Sequence, residues 1–318
     1  MKRQFSVPYN GDNPEFFMEG ILKRRESVHD VYLGCPGTQD FFTKTLLGEH
    51  PDYYENCEEF MKLAQEKGVP VVITANAQYN HLRRYEKRRY ARTLSDYIAK
   101  YGVSGVVCSD LDIAEAIHRA FPDVEINTSC NNPHYNAYSL IEWREKAGVT
   151  LVNPPRDTVR DYAYLESLKE RGFRVKLLVN ECCYLNCGRL TQFCEVSKGT
   201  VVCRSIEEKK NPLLTCRLFP EQLEDFDRVV DIYKIQGRWM ETDYIFRVLD
   251  IYRYGRSCLI SDIKDKTTKG TRADFMTSDI DPELMKHWLH CARDCYQCGR
   301  CKAEFERLTG ESETDKKE

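Results

Sequence analysis

A chain of 318 residues with 42% hydrophobic and 31% charged residues has the composition of a globular protein, long enough for one large α/β domain with a small appendage. A formal net charge of −3 excludes a global electrostatic pull toward nucleic acid or an anionic membrane. No apolar run approaches the roughly 18–20 residues that span a bilayer, and the amino-terminal "MKRQFSVPYNGDNPEFF" lacks the apolar stretch of a signal peptide, so a cytoplasmic protein without membrane contact is expected.

In chain order, short β-branched runs alternate with amphipathic stretches. The expected strands are 5–9, 31–34, 71–76, 105–110, 124–129, 150–154, 175–181 and 232–237. Helical stretches lie between them, among them 57–68, 112–122, 137–148, 160–172 and 243–255, several closed by a glycine stop. This alternation predicts a (β/α)8 TIM-like barrel, with an open doubly wound sheet as the competing architecture. The strand ends favour the barrel, because nearly every strand finishes on a polar or thiol group: Asn10, Cys35, Asn76, Ser109 with Asp110, Ser129 with Cys130, Asn153, Asn180 with Glu181, and Gln236 with Arg238. Asn76, Asp110, Asn180, Glu181 and Arg238 are therefore the candidate catalytic residues, expected to meet in one cavity. Arg238 suits a bidentate carboxylate or phosphate clamp, with a salt bridge to Glu181 or Asp110 as its structural alternative. Asp157, in "NPPRD", is expected to cap the helix that follows.

"HLRRYEKRRYAR" (81–92) carries six Arg/Lys and two tyrosines. It reads either as a patch that steers RNA or a multiply anionic molecule, or as a solvated helix face. The boundaries expected are a barrel over 1–261, a polar linker over 262–276, a cysteine-rich extension over 277–310 and a disordered tail over 311–318.

Fifteen cysteines are many for a reducing compartment, and they cluster. Cys57, Cys108 and Cys258 stand alone and read as packing residues. Cys182, Cys183, Cys187, Cys194 and Cys203 follow the seventh strand, with Cys216 shortly after. Thiols so dense at a barrel mouth suit a 4Fe-4S cluster better than zinc, which favours tight CxxC pairs. Cys183, Cys187, Cys194 and Cys216 are the expected ligands, with Cys182, Cys203 or Cys35 as substitutes. A second set, Cys291, Cys295, Cys298 and Cys301, places four thiols in eleven residues and is expected to hold a separate 4Fe-4S cluster, or zinc. Its first three members match the radical-SAM CxxxCxxC pattern. That reading fails because the barrel is already complete before them and a fourth cysteine would fill the open iron.

"VYLG" (31–34), the cysteine loop and "KIQGRWMETDYIFRVLDIYR" (234–253) resemble the peptidase U32 (collagenase-like) family. Lys234, Ile235, Gly237, Arg238 and Tyr244 match its K-I-E-G-R stretch and following Tyr. Gln236 replaces the Glu, and only Cys187–Cys194 keeps the family's C-x6-C step. The resemblance implies a barrel with a mouth cluster and, by analogy with oxygen-independent hydroxylases that use prephenate as hydroxyl donor, redox modification of an RNA, peptide or small molecule. An electron-donor protein and a homo- or heterodimer are the implied partners. The alternatives are a non-catalytic iron–sulfur partner subunit or binding barrel and, third, a peptidase. Against the peptidase, the seven histidines form no Ser-His-acid or HExxH arrangement.

Overall fold

The computed structural model describes residues 2–36, 52–76, 82–184, 211–263 and 274–310. Eight parallel strands close into a barrel: β1 (Phe5–Pro8), β2 (Val28–Gly34), β3 (Val71–Ala75), β4 (Gly105–Cys108), β5 (Glu125–Thr128), β6 (Leu151–Val152), β7 (Arg174–Leu178) and, closing between β7 and β1, β10 (Ile232–Lys234). All eight expected strands are present, and the open-sheet alternative falls.

The strand period explains the two faces. Phe5, Val7, Val31, Leu33, Ile73, Val106, Ile126, Val175, Leu177 and Tyr233 belong to the large core shared with the surrounding helices. The alternate positions turn into the barrel. There Tyr32, Val72 and Val107 form a small separate apolar cluster, among the buried polar residues Ser6, Asp30, Thr74, Asn127, Lys176 and Lys234. Barrel interiors are usually filled by layers of branched apolar side chains, so this charged filling is a departure.

The helices are α1 (Pro14–Leu22), α2 (Tyr53–Lys67), α3 (Arg84–Tyr101), α4 (Leu111–Ala120), α5 (Ile141–Ala147), α6 (Tyr162–Glu170), the short α7 (Leu223–Phe226) and α8 (Thr242–Tyr254); α2, α4, α5, α6 and α8 match the five expected stretches within a few residues. Asn13, Asp110 and Asp161 cap α1, α4 and α6 through side-chain oxygens. The expected cap at Asp157 is corrected by this. A 3₁₀ turn over Arg156–Thr158 precedes the helix, and Asp157 is buried beside it. Cys57, Cys108 and Cys258 are buried thiols whose burial pushes them above the usual range.

One feature of the backbone was not expected. The run 175–181 reads as one strand, yet the barrel strand stops at Leu178. From Asn180 the chain pairs antiparallel with residues 215–217, as β8 (Asn180–Tyr184) and β9 (Thr215–Arg217).

Residues 274–310 pack onto the barrel. Leu259 bridges Met276, Phe275 is buried, and Trp288 of α9 (Pro282–Trp288) is fully buried within the main core. The short α10 (Cys295–Cys298) and α11 (Arg300–Thr309) follow. No helix among the described residues is long and apolar enough to cross a membrane.

Candidate functional site

Two polar centres occupy the carboxyl-terminal end of the barrel and the space beneath it. The first lies inside. Asp30 is buried and meets Lys176 Nζ at 2.7 Å and His29 Nδ1 at 2.8 Å, and it accepts a hydrogen bond from Ser6 Oγ. Burial alone would raise the Asp30 carboxyl, but Lys176 and His29 together hold it well below the usual range. The Tyr32 ring has Lys234 Nζ 4.3 Å from its centroid and the Arg238 guanidinium carbon 5.9 Å away. The Tyr32 hydroxyl donates to the Ile235 carbonyl at 2.7 Å, which fixes the ring.

Gly237 adopts φ +129°, and a Cβ there would sit 2.9 Å from Met240 Cγ. This turn follows β10 and sends Arg238 to Thr74 Oγ1 at 3.1 Å, on the far side of β2. On the other flank, Asn180 and Gln236 exchange hydrogen bonds: Gln236 N donates to Asn180 Oδ1 at 2.8 Å, and Asn180 Nδ2 to the Gln236 carbonyl at 3.2 Å. Gln236 Nε2 also reaches Glu181 Oε1 at 3.4 Å.

Asn180, Glu181 and Arg238 are thus at one end of the fold, joined through the β10 turn. Asn76 directly follows β3, two residues beyond Thr74, and is half-buried. Asp110 is placed differently. It caps α4 through Ile113 N, pairs with Lys87 Nζ at 2.7 Å, and lines a separate groove of about 360 Å³ with Asn131, Asn132, His134 and Trp143. The expected salt bridge from Arg238 to Glu181 or Asp110 is likewise replaced: Arg238 takes Thr74, Glu181 takes Arg156 at 3.5 Å, and Asp110 takes Lys87. The basic run forms the first turns of α3, where Arg84, Tyr85, Arg88 and Arg89 face solvent, as a solvated face would.

The second centre surrounds Cys216. The irregular β8–β9 register pairs Asn180 with Arg217 and Tyr184 with Thr215, which sets Cys216 across from the Cys182–Cys183 pair. Cys187, Cys194 and Cys203 lie outside the described residues. Cys35, offered as a substitute, is a buried thiol that donates to its neighbour, the Pro36 carbonyl, at 3.4 Å.

Cys216 is fully buried. Burial first, then the charges of Glu181 and Asp157, push its thiol far up, against the pull of Arg160 and Arg156. Three buried guanidiniums stand here, Arg156, Arg160 and Arg217, against the carboxylates of Glu181 and Asp157. Arg160 donates from Nε to the Arg217 carbonyl at 2.9 Å and from Nη1 to the Leu213 carbonyl at 2.7 Å, while its buried Nη2 has no acceptor among the described residues. Burial draws the Arg160 guanidinium down to about 10, and the charge on Arg217 acts in the same direction.

The carboxyl-terminal thiols approach the same arginine. Cys301 and Cys291 act on Arg160 alongside Cys216, and Cys295 is also within its field. The Trp288 ring centroid is 3.9 Å from the Arg160 guanidinium carbon, and the indole donates from Nε1 to Cys301 Sγ at 3.2 Å. The Arg293–Asp161 ion pair, 2.7 Å, and the 2.7 Å bond from Asn211 Nδ2 to the Cys301 carbonyl clamp this segment to the barrel. The Cys298 thiol is exposed, 3.6 Å from His287 Nε2. Among the described residues, no three His, Cys, Asp or Glu side chains gather closely enough to hold a metal. The donor chemistry around Cys216 nevertheless fits an anionic thiolate-bound group, because buried guanidiniums outnumber buried carboxylates there. The four tail thiols fit in kind and would have to draw together.

Sequence reasoning did not single out Tyr32, Thr74, Arg156 or Arg160 as site residues, and it noted Lys234 only as part of the family-like stretch. For Lys234 the signal was present, a charge in phase with the interior positions of its strand.

Residues 24–176 match the model of peptidase family U32. An uncharacterized protease of Methanocaldococcus jannaschii is 22% identical over 305 residues, covering 90% of each chain. A solved U32 peptidase superposes with a TM-score of 0.52 at 13% identity, covering 74% of this chain and 93% of that one, which shows the shared fold. Over residues 24–176 this eight-stranded barrel is similar to peptidase family U32, and it shares its fold with a solved member.

Proposed function

We propose that this chain is an iron–sulfur redox enzyme of U32 type, acting by oxygen-independent hydroxylation or a related modification of a small-molecule, RNA or peptide substrate. The observation that carries the reading is the cationic nest about Cys216. Burying a guanidinium is costly unless an anion compensates it, and Arg156, Arg160 and Arg217 are all buried about the Cys216 thiol. A thiolate-ligated 4Fe-4S cluster is an anion of the required kind. Cys183, Cys187, Cys194 and Cys216 would hold it, with Cys182 or Cys203 as substitutes. When bound, such a cluster supplies one-electron redox or Lewis-acid chemistry.

The protein's own residues do the rest. Arg160 and Arg217 would offset the charge of a cluster held there, and the Arg156–Glu181 pair would set the local field. Gln236 and Asn180 brace each other at the mouth of the barrel. Arg238, held by Thr74, presents a guanidinium to an anionic part of the substrate. Cys291, Cys295, Cys298 and Cys301 would hold a second cluster, or zinc, on the other side of Arg160, which suits electron delivery from a donor protein.

The test is anaerobic purification followed by iron and acid-labile sulfide analysis and a visible spectrum. Iron and sulfide with a broad band near 400 nm are expected. Zinc without that band would sink the proposal.

A further inference from the structure

Lys234 is a buried charge that neither the fold nor the cysteine centre uses. It is 6% exposed and projects from β10 into the barrel. Its neighbour in the interior, Lys176, is neutralised by Asp30 at 2.7 Å. The Lys234 ammonium, by contrast, has the face of Tyr32 as its contact. Among the charges that act on it, Lys176 and Arg238 favour the neutral amine, while Cys130 and Asp30 oppose them. Burial first, with Lys176 and Arg238 adding to it, draws the amine down to about 8. A lysine desolvated beside other cations keeps a sizeable fraction of neutral, nucleophilic amine near neutral pH.

We propose that Lys234 is an imine-forming lysine whose Nζ condenses with the carbonyl of a small oxo acid in the barrel interior, while Arg238 takes the acid's carboxylate. The geometry carries this: both cations stand over one ring, Lys234 at 4.3 Å and Arg238 at 5.9 Å from the Tyr32 centroid. The step is balanced without a further reagent. The amine lone pair forms the C–N bond, the carbonyl π pair moves to oxygen, and that oxygen leaves with the two nitrogen protons as water. The product is a Schiff base that makes the carbon next to it acidic. The site is independent of the cluster, so it can be tested whatever the metal content of the protein.

The experiment is reductive trapping on the full chain at pH 8, with sodium cyanoborohydride and glyoxylate or succinate semialdehyde. Acetaldehyde serves as the uncharged control. Peptide mapping should place the first adduct on Lys234, ahead of Lys176 and the exposed lysines. Lys234→Arg should abolish that adduct. Arg238→Gln should slow labelling by acid and aldehyde alike as the amine rises, and should in addition raise the half-saturating concentration of the better oxo acid roughly tenfold relative to acetaldehyde, the loss of one charge-assisted contact. Mapping of the unmutated protein decides the matter even if a variant fails to fold. Adducts spread over surface lysines with no excess on Lys234 would overturn the proposal. An equal effect of Arg238→Gln on acid and aldehyde would overturn the carboxylate role.

Discussion

Replacing Lys234 by Met keeps much of the side-chain volume and removes the buried charge. With a folded pKa of about 8 against 10.5 for an ordinary lysine, the folded state binds fewer protons than the unfolded state between those two values. Stability therefore rises with pH across that window, and below pH 8 the burial penalty is present in full. Two and a half pK units correspond to about 3 kcal/mol at pH 7. Against this, the variant loses the cation–π contact with Tyr32, about 0.5–2 kcal/mol. The net expectation is that Lys234→Met is more stable than the parent at pH 7 by about 1–3 kcal/mol. That is a few degrees in melting temperature for a chain of this length. The gain should shrink as pH rises from 8 to 10. Buried tyrosines destabilise both proteins at high pH, so the difference between the two proteins is the quantity to follow, by urea unfolding at pH 7, 8, 9 and 10. A variant that is less stable at pH 7, with a pH profile parallel to the parent, would refute the reasoning.

Asp30→Asn should leave Lys176 buried without its counter-charge and cost about 3–5 kcal/mol by urea unfolding. Because Asp30 is held low, its contribution is present above the ordinary carboxylate range and lost as pH falls through the folded value, so the variant should show a flatter acid limb; a loss under about 1 kcal/mol would contradict the pairing. Asp110→Ala should cost about 1 kcal/mol through the α4 cap and leave iron content unchanged, and a loss of iron would return Asp110 to the site. Cys216→Ser should remove up to one cluster's iron from anaerobically purified protein, and full iron would exclude Cys216 as a ligand. Trp288→Ala should cost about 3–5 kcal/mol in the same unfolding assay, because the indole is fully buried against Arg160 and Phe219; a near-neutral change would mean that the tail contributes little to the barrel.

The barrel was legible because its signal is periodic and repeated eight times, so misjudged boundaries at single strands did not disturb the count. The β8–β9 hairpin was not, because nothing in the apolar run 175–181 marks the change of partner at Val179. Val179 N bonds back to the Lys234 carbonyl, and Leu218 N bonds to the Val179 carbonyl, so one residue serves barrel and hairpin together. Asn180, Glu181 and Arg238 could be picked out as polar groups at strand ends. Asp110 meets the same rule and yet caps a helix, since an Asp three residues before Ile113 satisfies the start of α4 as readily as it serves a pocket. Tyr32 and Lys234 escaped because they lie within strands, where a run of buried residues conceals which face each one takes.

The cations of this protein explain why composition carried so little about the site. The whole chain is slightly acidic, at −3, yet Arg156, Arg160, Arg217 and Lys234 are buried, and half-buried Arg238 shares the Tyr32 ring with Lys234. Surface carboxylates cancel these charges in the sum and cannot cancel them in the interior, where screening is weak. Glu181 and Asp157 stand near Cys216, and Asp30 is committed to Lys176. The interior therefore gathers positive charge at two places. Near Cys216 it surrounds a buried thiol, the setting that the proposed thiolate-bound cluster would use. Beside Tyr32 the cations are Lys234 and Arg238, and an anionic ligand that entered the barrel would meet both of them at one ring.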